Sequence, residues 1–225
     1  MRALVGFDGS EGAHDAVELA RWFLAGADEA EALLVNVVPH PGALPIAYYI
    51  LGYEESTWES QFFSPAADAL APVSVSWASY VGGSPAHTLT NIAEDSEFDL
   101  IVIGSPHRGV VGRALLGSVA QGVLHGSPVP VVVAPHGYAK TRHGPPRRIA
   151  VAYDGSAEAE VALSTAVGMA RESGAVVEML AITTEFPPNP SLVGFRMDPL
   201  MTPEEVLDQG QFAAGDDVEL EGRAL

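Results

Sequence analysis

Residues 98–118 read FDLIVIGSPHRGVVGRALLGS, an apolar run followed by a loop rich in glycine. The run at 98–103 has the length and the apolarity of a parallel strand that is buried on both faces. Residues 119–125 suit a short helix, and a second apolar run follows at 129–134. A glycine-rich loop between a buried strand and a helix N-terminus lets backbone N–H groups approach an anion. The segment therefore predicts a phosphate-binding loop, and nucleotide binding is the leading hypothesis.

The composition limits the classes of protein to consider. The 225 residues are 48% hydrophobic, which is enough for one large domain or two small ones. The 29 acidic residues outnumber the 11 basic ones, and the net charge of −18 repels nucleic acid and anionic membranes. Cysteine is absent, no apolar run has the length of a membrane span, and no signal peptide precedes the first strand. We therefore expect a cytoplasmic protein that binds neither nucleic acid nor membrane.

A stretch near the N-terminus recurs later in the chain. Residues 2–10 read RALVGFDGS, and residues 148–156 read RIAVAYDGS. After each stretch, apolar residues recur at helical spacing, and Ser10 and Ser156 stand where a helix N-cap belongs. Apolar runs at 33–38 and 176–182 then match as second strands. The repetition indicates a duplicated unit.

The first copy, residues 1–136, can be followed through five strands that alternate with helices. One helix is expected between Thr57 and Leu70, with an interruption at Pro65. Another begins at Ser84 and Pro85, a cap followed by proline at the first helical position. This order predicts an α/β fold with a doubly wound five-stranded parallel sheet, whose ligand lies at the carboxyl ends of the strands.

The second copy, residues 148–225, follows a predicted linker at 137–147 that contains the run Gly144-Pro145-Pro146. After its two strands we expect a proline-rich connection at 187–203, a short helix near 204–213 and a third strand at 218–225. No fourth strand, glycine-rich loop or fifth strand follows. The sequence therefore predicts a partial second copy, truncated after its third strand, without a phosphate-binding loop.

Taken together, these segments resemble the universal stress protein family in its tandem form, over nearly the whole chain. The resemblance implies the fold of the adenine nucleotide alpha hydrolases, a homodimer and a role in the stress response. The homodimer is expected to form through the edge near residues 129–134 or through the open edge of the second copy. Nucleotide-binding members of the family hold ATP, with Mg²⁺ on its phosphates, through Gly-x-x-Gly, nine residues and Gly-Ser/Thr. The segments that carry the resemblance are VGFDGS at 5–10, DLIVIG at 99–104, LGSVA at 116–120, PVPVVVAP at 128–135 and YDGS at 153–156.

The ATP motif has one departure in this chain. It begins at Gly104 and ends at Gly117-Ser118, but His107 stands at its second glycine position. Gly109 can restore a usable turn, or a protonated His107 can itself contact phosphate. Alternatively, His107 closes the site. In that case this protein would be an interaction protein that binds no nucleotide.

The resemblance also assigns roles around the loop. Asp8 would face the adenine and the ribose, while Val37 and Val38 would meet the adenine edge. The alternatives are turn chemistry for Asp8 and sheet core for the two valines. Asp154 repeats Asp8 in the second copy and is expected to be structural. The loop residues Arg108 and Arg113 either neutralise phosphate or remain solvated. The predicted binding residues are Asp8, Val38, Gly104, His107, Arg108, Gly109, Gly117, Ser118 and Val119.

The expected function is that of a sensor or regulatory module that binds an adenine nucleotide. Catalysis is not expected, because the Gly-x-x-x-x-Gly-Lys-Ser/Thr and Gly-x-Ser-x-Gly patterns are absent; slow ATP hydrolysis is left open. The seven histidines lack a compact ligand spacing, so no metal site is expected. A group of aromatic residues could form a lid over the base, a partner surface or packing over the sheet: Tyr48, Tyr49, Tyr53, Trp58, Phe62 and Phe63.

Overall fold

The computed structural model describes residues 1–27, 29–38, 55–105, 116–141, 146–181 and 193–197. The chain divides into two units, Met1–Arg142 and His143–Leu225. The first unit alternates strands and helices throughout, and the second repeats the start of that pattern.

Five parallel strands form the sheet of the first unit, in the order β3-β2-β1-β4-β5. The chain moves outward from β1 through β2 to β3, and then returns to add β4 and β5 on the other side of β1. The predicted doubly wound five-stranded parallel sheet is therefore confirmed. Its elements are β1 (Arg2–Gly6), α1 (Glu11–Leu24), β2 (Glu31–Val38), α2 (Glu55–Leu70), β3 (Ser74–Val81), α3 (Pro85–Asp95), β4 (Leu100–Gly104), α4 (Ser118–Gly126) and β5 (Val131–Ala134).

Helices cover both faces of this sheet. Helices α1 and α2 pack on one face, where Val5 of β1 is buried, and α3 and α4 pack on the other face, where Leu4 is buried. Neighbouring residues of a strand point to opposite faces, so a strand covered on both sides needs apolar residues at every position. This requirement explains why β4 reads as an uninterrupted apolar run.

The predicted interruption at Pro65 is wrong, because α2 runs without a break with Pro65 inside it. Pro65 has no N–H to donate to the carbonyl of Gln61, so one helical hydrogen bond is lost. The helix persists because Phe63, Ala66 and Leu70 are fully buried against the sheet. Burying these three side chains stabilises the helix by more than the missing hydrogen bond costs.

A buried carboxylate attaches the segment after β5 to α1. Asp15 accepts hydrogen bonds from the backbone N–H groups of Gly137, at 2.8 Å, and Ala139, at 2.7 Å. Nδ1 of His136 lies 3.9 Å from the same carboxylate. A linker was predicted from residue 137 onward, whereas these bonds tie residues 137–139 to the first unit. The unit accordingly extends to Arg142.

The second unit opens as the first does. Strand β6 (Arg148–Ala152) is followed by α5 (Ala157–Ser173) and β7 (Val176–Ala181), and β6 and β7 pair in parallel. The Ser156 hydroxyl accepts a hydrogen bond from the backbone N–H of Ala159 at 3.2 Å and so caps α5. The repeated order of strand, capped helix and strand is therefore present.

A further strand, β8 (Val193–Met197), lies where a proline-rich connection was expected, and it pairs antiparallel with β7. The five residues of β8 include no proline, so each has an N–H available for pairing. The prolines of the predicted stretch lie on either side of the strand. The helix predicted near 204–213 and the strand predicted at 218–225 lie outside the described residues.

Candidate functional site

A cavity of about 650 Å³ opens at the carboxyl ends of the strands in the first unit. Its volume lies within the range of about 300–1,000 Å³ that is typical of small-molecule sites. The cavity spans the carboxyl ends of β1 and β4, where the chain order reverses and where doubly wound sheets bind ligands. The predicted residues that line it are Asp8, Val38, Gly104, Gly117, Ser118 and Val119.

The N-terminus of α4 borders this cavity without a side-chain cap. Its N-cap is Gly117, which makes no capping hydrogen bond, and Ser118, Val119 and Ala120 of the first turn line the cavity. The serines that cap α1, α3 and α5 each accept a hydrogen bond from a backbone N–H of their helix: Ser10, Ser84 and Ser156. The free N–H groups and the dipole of α4 therefore favour an anion at this end of the cavity.

The turn after β1 combines local hydrogen bonding with exposure to the cavity. Oδ1 of Asp8 accepts from the backbone N–H of Ser10 at 3.0 Å, and the Ser10 hydroxyl accepts from Ala13 at 3.2 Å. Gly9 between them has a φ of +76°, which favours glycine. The turn chemistry is therefore present, and Asp8 also lines the cavity.

Two glycines bring β4 and α1 into direct backbone contact beside the cavity. A Cβ on Gly104 would lie 2.0 Å from the carbonyl oxygen of Gly12. A Cβ on Gly12 would in turn lie 2.8 Å from the carbonyl oxygen of Ser105. Gly104, predicted to contact phosphate, therefore also has a packing role. Gly12 was not among the predicted residues.

The carboxyl end of β2 forms another wall of the cavity through Asn36, Val37 and Val38. Val38 was predicted, whereas Asn36 was not, although it lines the cavity and is buried. The available signal was the polarity of Asn36 within the apolar run LLVNVV of residues 33–38. A polar side chain in a strand that is covered on both faces needs a hydrogen-bonding partner.

Several predicted residues lie outside the described part of the chain. Among the candidate binding residues these are His107, Arg108 and Gly109, and Arg113 of the same loop lies there too. Of the aromatic group, Tyr48, Tyr49 and Tyr53 also fall outside it. The three remaining aromatic residues are on α2, where Phe62 and Phe63 pack near Phe7 with ring centroids 5.3 and 5.8 Å away, and Trp58 stacks on Phe62.

Asp154 of the second unit reproduces the local bonding of Asp8. Its Oδ1 accepts from the backbone N–H of Ser156 at 3.0 Å. Hydrogen bonding from the side chain of Ser156, and then from its backbone, holds the pKa of the Asp154 carboxyl below its ordinary value. The stability that this depressed pKa contributes is present above the unfolded-state pKa and is lost as the pH falls through the folded-state value.

The described ranges contain neither a metal-binding cluster nor a membrane-spanning helix. No group of three or more His, Cys, Asp or Glu side chains is placed there to hold a metal ion. Within the same ranges, no helix has both the length and the apolar character needed to cross a bilayer.

The fold and the cavity define an α/β protein of the doubly wound class with a ligand cavity at the switch point of its sheet. The sequence model of the Universal stress protein family matches residues 1–135 and 146–223. The chain therefore belongs to the universal stress protein family. The two matched segments correspond to the two units.

Individual relatives match to different extents. A universal stress protein of Mycolicibacterium smegmatis is 34% identical over 99 residues, which are 44% of this chain and 32% of the relative. This chain thus spans about a third of that relative's length. A universal stress protein structure from Archaeoglobus fulgidus has a TM-score of 0.65 at 24% identity, over 95% of this chain and 74% of its own. A structure of a universal stress protein in complex with cAMP has a TM-score of 0.45 at 28% identity, over 60% of this chain and 97% of its own.

Proposed function

We propose that the first unit binds an adenine nucleotide, ATP with Mg²⁺, and acts as a sensor or regulatory module. The observation that carries the proposal is the uncapped N-terminus of α4 at the cavity. Membership of the universal stress protein family supports the same assignment.

The two ends of the cavity suit the two ends of a nucleotide. The first turn of α4 supplies free backbone N–H groups for phosphate, and Ser118 adds a hydroxyl. Apolar side chains such as Phe7, Ala13 and Val38 supply the surroundings that a base requires. In this arrangement Asp8 is available to the ribose through the oxygen that the turn does not use.

Magnesium would arrive with the phosphates in this proposal. Asp8 is the only carboxylate among the described residues that line the cavity, and one of its oxygens already accepts from Ser10. Mg²⁺ commonly keeps several waters and binds through substrate phosphates and one or two carboxylates. The residues present fit that mode of binding and do not require a separate metal cage.

The same lining residues support binding without turnover. Apart from Asp8, the described lining offers no carboxylate, imidazole or amine that could activate water. The Asp8 carboxylate already serves the turn, which leaves it poorly suited to act as a general base.

The substitution Val119→Glu tests the phosphate end of the site. Val119 is 36% exposed in the first turn of α4, so a glutamate side chain fits there. Its negative charge interacts favourably with the helix dipole. The same charge repels phosphate, and we expect Mg²⁺-ATP affinity to fall by about tenfold or more in isothermal titration. Thermal stability without ligand should be unchanged or slightly raised.

Gln121→Glu is the matched control, because Gln121 is exposed on the same helix and does not line the cavity. It should bind Mg²⁺-ATP as the wild type does. Wild-type protein that takes up no nucleotide at millimolar concentration would overturn the proposal. Equal losses in both variants would mean that net charge, rather than the site, controls binding.

We also propose a homodimer that forms through the β5 side of the first unit. In the described sheet β5 is an edge strand, and Leu124 of the neighbouring α4 is 43% exposed. An open strand edge beside exposed apolar side chains favours association.

Light scattering should give the mass of a dimer, and Leu124→Glu should shift it towards the monomer. Val161→Glu, at an exposed apolar position of the second unit, should leave the dimer intact; a monomeric wild type contradicts the proposal.

A further inference from the structure

An amide side chain that makes no hydrogen bond to any described residue lies on the wall of the cavity. Asn36 is only 8% exposed and lines the cavity. No hydrogen bond joins its side chain to any residue that the structure describes. Its amide atoms are not among the fully buried side-chain atoms that lack a partner, so the amide remains open to a water or a ligand.

A buried hydroxyl without a partner among the described residues lies beside Asn36. Ser79 is opposite Asn36 in the parallel pairing of β2 with β3, so the two side chains lie next to each other on the same face. The hydroxyl oxygen of Ser79 is buried and has no hydrogen-bonding partner among the described residues. Two adjacent strands therefore place polar side chains that bond to no described residue at the same level of the sheet.

The surroundings of this pair are aromatic and apolar. Alternation along β2 places Asn36 on the face of the sheet that carries Leu34, which is the face covered by α1 and α2. Phe7 is beside Asn36 on the other side, because its backbone N–H donates to the carbonyl of Val35 at 2.8 Å. Such a site offers flat apolar surfaces with one amide and one hydroxyl between them, which suits the edge of a planar base.

We propose that Asn36 selects adenine over guanine in the nucleotide site, and that Ser79 hydrogen-bonds the Asn36 amide and orients it when the nucleotide is bound. This inference rests on the proposed function. The amide of asparagine presents an acceptor and a donor side by side, and adenine presents a donor at N6 and an acceptor at N7. Guanine presents two acceptors, O6 and N7, so the amide can satisfy only one of them.

The experiment is isothermal titration of the full chain with Mg²⁺-ATP, Mg²⁺-GTP and Mg²⁺-7-deaza-ATP, which lacks the N7 acceptor. Wild-type protein should bind ATP about tenfold more tightly than either of the other two. Asn36→Leu, of nearly equal size but apolar, should bind ATP and 7-deaza-ATP equally and weakly. Asn36→Asp keeps the acceptor and loses the donor, so it should also lose the preference for N7.

The Ser79→Ala variant tests whether Ser79 orients the Asn36 amide without itself contacting the base. It should lower ATP affinity by less than Asn36→Leu does and retain a preference for ATP over 7-deaza-ATP. Melting temperatures without ligand monitor folding, and the comparison of ATP with 7-deaza-ATP on wild-type protein needs no variant at all.

The outcomes distinguish this inference from the proposed function. Absence of binding by any nucleotide overturns both. Tight binding of ATP with equal affinity for GTP or 7-deaza-ATP overturns the role of Asn36 and leaves nucleotide binding intact. An Asn36→Leu variant that melts differently but keeps the wild-type preference shows that the amide binds only a structural water, and this also overturns the inference.

Discussion

Gly104→Ala is expected to disrupt the first unit. The added Cβ would lie 2.0 Å from the carbonyl oxygen and 2.3 Å from the carbonyl carbon of Gly12, which are backbone atoms. A flexible side chain could rotate away from such an overlap, but here the whole of α1 would have to move off β4. We expect a loss of about 4 kcal/mol or more, which is a large fraction of the roughly 5–15 kcal/mol by which an ordinary domain is stable.

Urea unfolding followed by tryptophan fluorescence measures this loss directly. Trp22, Trp58 and Trp77 are the three tryptophans of the chain, and all of them lie in the first unit. The signal therefore reports that unit separately from the second. Gly126→Ala is the control, because its Cβ would meet only the Thr90 methyl group at 3.6 Å. If Gly104→Ala unfolded at the same urea concentration as this control, the close contact between β4 and α1 would not be required.

Phe63→Ala is expected to have the second largest effect. Phe63 is fully buried beneath α2, with ring centroids 4.9 Å from Phe62, 5.8 Å from Phe7 and 6.1 Å from Trp77. Truncation removes its apolar contacts and leaves a cavity that the surrounding strands cannot fill. The usual loss for a buried phenylalanine is about 3–5 kcal/mol.

Phe63→Ala should destabilise α2 itself as well as lower the stability of the whole first unit. With Pro65 inside the helix, α2 depends on burial to remain continuous, and Phe63 is its largest fully buried side chain. Amide hydrogen exchange should therefore show α2 losing protection before β1 and β4. Tyr80→Ala, which truncates a 38% exposed ring on β3, should cost less than about 1 kcal/mol. Equal losses for the two variants would contradict the assignment of Phe63 as the anchor of α2.

The strands and caps of the first unit could be predicted because their signals are local. The apolar run at 98–103 became β4 with a shift of a residue or two, since a strand covered on both faces must be apolar at every position. Ser10, Ser84 and Ser156 were recognised as caps because a cap depends on bonds to residues only three positions away.

The candidate site was predicted in part for the same reason. Gly117 and Ser118 fall in a motif that occupies one stretch of sequence, and the structure places both at the cavity. Asn36 and Ser79 are far apart in sequence, and only the pairing of β2 with β3 brings them together. A single polar residue in an apolar strand does not show which neighbour it meets.

The sequence by itself determined the order of strands and helices in the first unit, the recurrence of strand, capped helix and strand at the start of the second unit, and the family. Each of these depends on residue type and on spacing within a short segment. Only the tertiary structure decided that α2 passes through Pro65, that Asp15 holds the segment after β5, and that Gly12 is the partner of Gly104. The physical reason is that these features balance a local cost, such as a missing hydrogen bond or a buried charge, against contacts between residues distant in the chain. Such contacts exist only once the sheet has formed.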